Sequence, residues 1–200
     1  MSQNHFNKIA KNWDQKVNHN HKIIRKVINN LPDYSQPDIL DVGSGTGILI
    51  PFLTEKYGQK AKITELDFAE NMIKIAQKKF KKRENIEFIV SDIHSYPLQT
   101  NQHDLIICYS VFPHLNNKKN LLKKLKTLLK NRGHLVIFHS QSRKEINNMH
   151  KNAEEKRINE AFLPPAQKVV QMAKKENFKV NKTVDNQKLY LLDFFIIEEN

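Results

Sequence analysis

The stretch Ile39-Leu40-Asp41-Val42-Gly43-Ser44-Gly45-Thr46-Gly47 constrains the chain more than any other. Ile39 to Val42 reads as a buried parallel strand. Three glycines follow at alternate positions, and without Cβ atoms the backbone can take positive φ and lie close to a ligand. Ile48-Leu49-Ile50-Pro51-Phe52-Leu53 then opens a helix. Strand, glycine turn and helix in this order form the nucleotide-binding corner of an open α/β sheet. The spacing is not that of the dinucleotide fingerprint G-x-G-x-x-G. The third glycine comes one residue early, and Ile48 stands where the last should be.

Acidic residues recur at the ends of the next strands. Ala61-Lys62-Ile63-Thr64-Glu65-Leu66 ends at Asp67, placed to accept hydrogen bonds from both hydroxyls of a ribose. Glu65 competes for that role but sits deeper on the same face, so Asp67 is preferred. A helix follows with Met72, Ile73, Ala76 and Phe80 on one face. The third strand, Ile86 to Ser91, ends in Asp92-Ile93. Ligands in open α/β sheets bind outside the carboxyl ends of the strands, so Asp41, Asp67 and Asp92 are expected to converge there. Leu105 to Cys108 is a fourth strand, followed by Tyr109-Ser110-Val111-Phe112-Pro113-His114. A helix carries Leu121, Leu122, Leu125, Leu128 and Leu129 at helical spacing, and Gly133 suits its C-terminal cap. His134 to His139 is a fifth strand.

The pattern D-x-G-x-G-x-G, with its acidic strand ends, resembles the first motifs of the class I S-adenosylmethionine (SAM) dependent methyltransferases. The phrase Leu128-Leu129-Lys130-x-x-Gly133-x-Leu135-Val136-Ile137 fits the same family. The resemblance covers nearly the whole chain, is strongest from Ile39 to Phe138, and extends to a branch of bacterial and archaeal members without an assigned substrate. It implies a Rossmann-like, seven-stranded, mostly parallel sheet with an antiparallel last strand and helices on both faces. One domain over residues 1–200 would comprise cap helices (1–31), a SAM-binding core (38–140), substrate-side helices (141–176) and a closing strand pair (177–198). The cofactor would be SAM, held by Asp41, Gly43, Ser44, Gly45, Thr46, Gly47, Asp67, Phe68, Met72, Asp92, Ile93, Cys108 and Tyr109. Asp41 would favour the methionine ammonium, Asp92 would accept from the adenine amino group, and Ile93 would touch the ring. Phe6, Ala10, Trp13 and Asp14 look like the cap helix that small-molecule members fold over SAM; a helix docked elsewhere on the sheet fits the same pattern.

Substrate choice is expected in the last quarter. Ser142 and Glu145 make a capping box, and Arg143, Asn147 and His150 share a helical face. Trp13, Phe112, Arg143 and Asn147 are the candidate acceptor-binding residues. His114, His139 and His150 are the candidate catalytic groups, and three roles are open to them: a general base, a metal site, or ordinary hydrogen bonding. No tight ligand spacing such as H-x-x-x-H supports a metal. The absence of Asn/Asp-Pro-Pro-Tyr argues against an amine in nucleic acid or protein. The expected function is methyl transfer to a small molecule by in-line displacement. Alternatives are a SAM-binding sensor or scaffold without catalysis, and an RNA or protein methyltransferase. The acid at the ribose position without a second glycine pair disfavours an NAD-linked reductase.

A net charge of +12 invites a nucleic-acid partner, but the lysines lie scattered over helix faces such as Lys78, Lys79, Lys81 and Lys82, as solvated faces usually do. One cysteine excludes an intrachain disulfide and suits a cytoplasmic chain. No apolar run approaches the ~18 residues of a membrane span. Residues 151–162 are highly charged and carry no readable pattern.

Overall fold

Apolar runs become strands and the amphipathic stretches between them become helices. The structure, a computed structural model, describes residues 3–97, 99–152 and 161–197, so residues 153–160 of the charged stretch lie outside it. The chain divides into two units, residues 2–96 and 97–200.

The first unit contains helices α1 (Gln3–Ile9), α2 (Trp13–Lys16), α3 (His21–Asn29), α4 (Ile50–Tyr57) and α5 (Glu70–Phe80), with a 3-10 turn at Ala10–Asn12. Its strands are β1 (Asp38–Val42), β2 (Lys62–Asp67) and β3 (Ile86–Val90), parallel, with β2 in the middle. The register sets Asp41 beside Glu65 and Glu65 beside Phe88. The predicted apolar face of α5 is observed, with Met72, Ile73 and Ala76 buried. The side chain of Asn20 caps α3, and Pro51 sits in the first turn of α4, where its missing N–H costs nothing.

The second unit contains β4 (His103–Tyr109), α6 (Lys118–Leu128), β5 (Leu129–His139), α7 (Arg143–Lys151), α8 (Ala166–Lys175), β6 (Lys179–Asp185) and β7 (Tyr190–Phe195), with a 3-10 turn at Phe112–His114. β4 and β5 are parallel, and β7 runs antiparallel to both β5 and β6. The antiparallel last strand is therefore β7. Its buried Asp193 is bonded to His134 Nδ1 (2.7 Å) and Asn181 Nδ2 (2.5 Å). The α/β class and seven strands match the expectation.

One local expectation fails. Gly133 does not cap α6. That helix stops at Leu128, and Leu129 is already extended and paired with His103. The ladder then skips from Leu129 to His134, so residues 130–133 bulge out of it. Arg132 takes the positive φ of 64°, while a Cβ on Gly133 would lie 2.8 Å from the Lys130 carbonyl oxygen. Glycine is needed there for closeness of backbone, not for handedness.

Candidate active site

In the first unit, the glycine loop and the ends of β1 and β2 hold three carboxylates together. Asp41, Glu65 and Asp67 are all buried, with Glu65 wholly inaccessible. Asp67 is fully engaged. Its Oδ2 accepts from Gly45 N at 2.9 Å and its Oδ1 from Ala69 N at 2.8 Å, tying the glycine loop to the start of α5. Asp41 Oδ2, both oxygens of Glu65 and the Ser44 hydroxyl are buried with no hydrogen-bond partner. Burial pushes the Asp41 carboxyl up, and neighbouring Asp67 adds to the push. Burial, then Asp41, drives Glu65 well above the carboxylate range. Asp67 is raised by burial to about 6, against the pull of the Ala69 and Gly45 N–H donors.

Gly45 and Gly47 take φ of 58° and 82°. A Cβ on Gly47 would lie 2.7 Å from Ile50 and 2.9 Å from the Phe80 ring, so the loop seats on α4 and α5 only without one. The space beside Gly45 faces the Trp13 indole, whose Nε1 is 3.6 Å from the position of such a Cβ.

The N-terminal helices dock on this corner. Phe6 packs its ring against Trp13 and Phe68, at centroid distances of 5.8 and 5.7 Å. Gln3 Nε2 donates to the Phe68 carbonyl, and Asn71 N donates to Asn7 Oδ1. Ala10, Ala69 and Met72 form a buried cluster joined by Phe6, Ile9, Trp13 and Phe68. Thr46 Oγ1 donates to Asp14, and Lys79 pairs with Asp14 while its Nζ also donates to the Thr46 carbonyl. Lys79 is therefore not a purely solvated lysine. Gln3, Asn7 and Lys79 carry no sequence signal of these roles; long-range polar ties leave no local pattern.

Asp92 follows β3 and is exposed. Its Oδ1 accepts from His94 N at 2.8 Å, an Asx turn, and Ile93 behind it is buried. Ser91 N donates to the Asp67 carbonyl at 3.0 Å, so Asp92 lies at the end of the strand next to Asp67. It lies exposed outside the buried group of Asp41, Glu65 and Asp67.

In the second unit, Cys108 is buried within β4 beside Ile137. Tyr109 stacks on Phe138 at 4.6 Å and its hydroxyl bonds Ser140 at 2.9 Å, while burial pushes its phenol up to about 12. Ser110 has a left-handed φ of 58°, a strained conformation for a serine that no sequence pattern announces. Phe112 is fully buried, with the Lys118 ammonium 5.3 Å from its ring centroid; it packs the unit and is not open to an acceptor. Arg143, Asn147 and His150 do share a face, but the face holds the returning chain. Arg143 Nε bonds Asp185 Oδ2 at 2.9 Å, Asn147 exchanges two hydrogen bonds with the Leu163 backbone, and His150 Nδ1 meets the Ala161 carbonyl. Arg143 Nε and the Asn147 amide are thus engaged by the returning chain.

The three histidines do gather. The His114 and His150 rings lie 4.6 Å apart, and His139 stands edge-on to Tyr190. Burial lowers all three, His139 to about 3; His150 and His139 add to the fall at His114, and the Ala161 carbonyl partly opposes it at His150. Both His139 ring nitrogens are buried without a hydrogen-bond partner. Among the described residues, no group of three His, Cys, Asp or Glu side chains is placed to hold a metal ion. No helix among them is long and apolar enough to cross a membrane.

Comparison with known proteins agrees with this geometry. A family model described as "Methyltransferase domain" matches residues 40–137. A malonyl-[acyl-carrier protein] O-methyltransferase of Acetivibrio thermocellus is 35% identical over 175 residues, covering 83% of this chain and 59% of that protein. A demethylmenaquinone methyltransferase of Thermotoga maritima is 30% identical over 114 residues, covering 57% of this chain and 48% of that one. The chain thus spans about half to three fifths of the length of these relatives. A SAM dependent methyltransferase from Aquifex aeolicus has the same fold, with a TM-score of 0.72 at 20% identity over 98% of this chain and 100% of that chain. Phosphoethanolamine N-methyltransferase 2 of Haemonchus contortus, solved with S-adenosyl-L-methionine, gives 0.74 at 14% identity, covering 98% of this chain and 58% of that one. The chain thus carries a methyltransferase domain over residues 40–137 and shares the fold of SAM dependent methyltransferases.

Proposed function

We propose that this chain binds SAM on its first unit and transfers the methyl group to an oxygen of a small acyl acceptor. The observation that carries the reading is the Asp67 clamp, which holds the glycine loop to the start of α5 through Gly45 and Ala69. The residues suit the cofactor. Asp67 would hold the ribose, Asp41 and Ser44 offer unpartnered buried polar atoms, Gly45 leaves its flank open, and Trp13 and Phe68 bound that space. SAM supplies an already activated electrophilic methyl, so orientation accounts for much of the catalysis.

The relatives named as malonyl-[acyl-carrier protein] O-methyltransferases support an oxygen acceptor on a small acyl group. Burial keeps His114, His139 and His150 uncharged at neutral pH, so an imidazole N–H can donate to an acceptor oxygen and hold it in line with the methyl group. We assign that role to His114 and His150. The test is release of S-adenosylhomocysteine from SAM with a panel of short acyl acids, free and as thioesters of an acyl carrier protein. Turnover with one of them is expected. SAM binding without turnover on any acceptor would favour a sensor, and no SAM binding would overturn the reading.

A further inference from the structure

The acid pair at the junction of β1 and β2 is larger than cofactor recognition by Asp41 requires. Glu65 is wholly buried, neither of its oxygens has a hydrogen-bond partner, and the strand register sets it beside Asp41, whose Oδ2 is equally unpartnered. Neighbouring strands lie ~4.8 Å apart, so the two side chains share one face at close range. The charged groups that bear on Glu65 are Asp41 from β1 and Asp67 from its own strand; the glycine loop contributes Ser44, and β3 sets Phe88 opposite. None of these is a cation. Two adjacent buried carboxyls without a cation cannot both ionise, because neither charge is solvated and each repels the other.

We propose that Asp41 and Glu65 both keep their protons in the free protein, and that together they receive the ammonium group of the SAM methionine moiety, one of them releasing its proton to solvent so that a single carboxylate charge faces the cation. The stoichiometry suits an ammonium. It has three N–H donors. Asp41 Oδ2 and the two Glu65 oxygens are three buried acceptors without partners, and the Ser44 hydroxyl beside them is a fourth polar atom. Asp67, which accepts the Gly45 and Ala69 N–H groups, keeps its remaining acceptor sites for the ribose in this reading. The upward push on both carboxyls agrees with a retained proton. The inference rests on SAM being the ligand and adds a residue, Glu65, that the glycine motif does not include.

Calorimetry of the full chain tests it at pH 6.5, where the ligand's amine is already protonated, in buffers of differing ionisation enthalpy. Wild type is expected to release close to one proton on binding SAM. It should release essentially none on binding 5′-methylthioadenosine, which keeps the adenosyl group and lacks the ammonium. Glu65→Gln should weaken SAM about tenfold while leaving methylthioadenosine affinity unchanged, and unchanged SAM affinity in the folded variant would overturn the part given to Glu65. The wild-type contrast between the two ligands stands even if the variant fails to fold. SAM binding without proton release, or equal release with both ligands, overturns the proposal alone. Failure of wild type to bind SAM overturns the cofactor reading and the proposal with it.

Discussion

The two units bury ionisable groups with opposite consequences. In the first, burial pushes Asp41, Glu65 and Asp67 upward, toward the protonated form. In the second, burial pushes His114, His139 and His150 downward, again toward the uncharged form. Each group sheds charge because an unpaired ion is costly away from water. The difference lies in what each then offers. Neutralised acids wait for a cation and give up a proton to meet it. Neutral imidazoles of lowered basicity present N–H groups that carry no charge. The first unit thus buries acids that gain from a cation, and the second buries uncharged donors.

The strongest way to break that contrast is His114→Ala. It should cut turnover on the true acceptor by about 10²–10³-fold with unchanged SAM affinity, as expected for a lost hydrogen-bond donor to the reacting oxygen. Steady-state kinetics beside calorimetry would show it, and a parallel loss of SAM affinity would erase the division of labour. Next in size is Asp67→Ala. Losing a charge-assisted acceptor and the clamp on Gly45 and Ala69 should weaken SAM by about 100-fold. A titration giving wild-type affinity would remove Asp67 from the site.

The third prediction concerns pH and sharpens the contrast by sign. An imidazole whose folded pKa lies below its unfolded value stabilises the fold above the unfolded pKa and loses that contribution as pH falls. For His139, lowered from 6.5 to about 3, the loss between pH 6.5 and 5 is about 2 kcal/mol. Raised carboxyls act in the other direction: the folded protein holds protons more tightly, so stability falls as pH rises, for Asp67 between 3.8 and about 6. Melting curves should therefore lose their acid-side slope in His139→Asn and gain alkaline-side stability in Glu65→Gln. The same change of slope in both variants would contradict the assignment. The smallest effect belongs to Asn147→Ala, which loses two hydrogen bonds to Leu163 and should cost about 1–2 kcal/mol in denaturant unfolding, leaving SAM affinity unchanged.

Legibility in the sequence followed the range of the signal. The glycine loop, Asp67, the buried face of α5 and the Ser142–Glu145 capping box are local patterns, and each is where the pattern placed it. Roles set by distant partners were harder to read. The shared face of Arg143, Asn147 and His150 holds as geometry, but its purpose depends on Asp185, Leu163 and Ala161, which no local pattern links to it. Glu65 was set below Asp67 because depth on a strand looked like distance from the ligand; its unpartnered oxygens became visible only with its neighbours in place. Gly133 misled because glycine after a leucine-rich helix usually means handedness, and here it means proximity to the Lys130 carbonyl.

The helix α1 buries none of its seven residues, yet it reaches the site's edge through Gln3, Phe6 and Asn7. So slight an anchorage melts far more readily than the sheet beneath it. With SAM held on that corner as proposed, the site's edge would open by the fraying of one short segment, without any change in the sheet. Backbone amides of residues 3–9 should exchange with deuterium almost freely in the unliganded protein and slow sharply once the adenosyl group is in place.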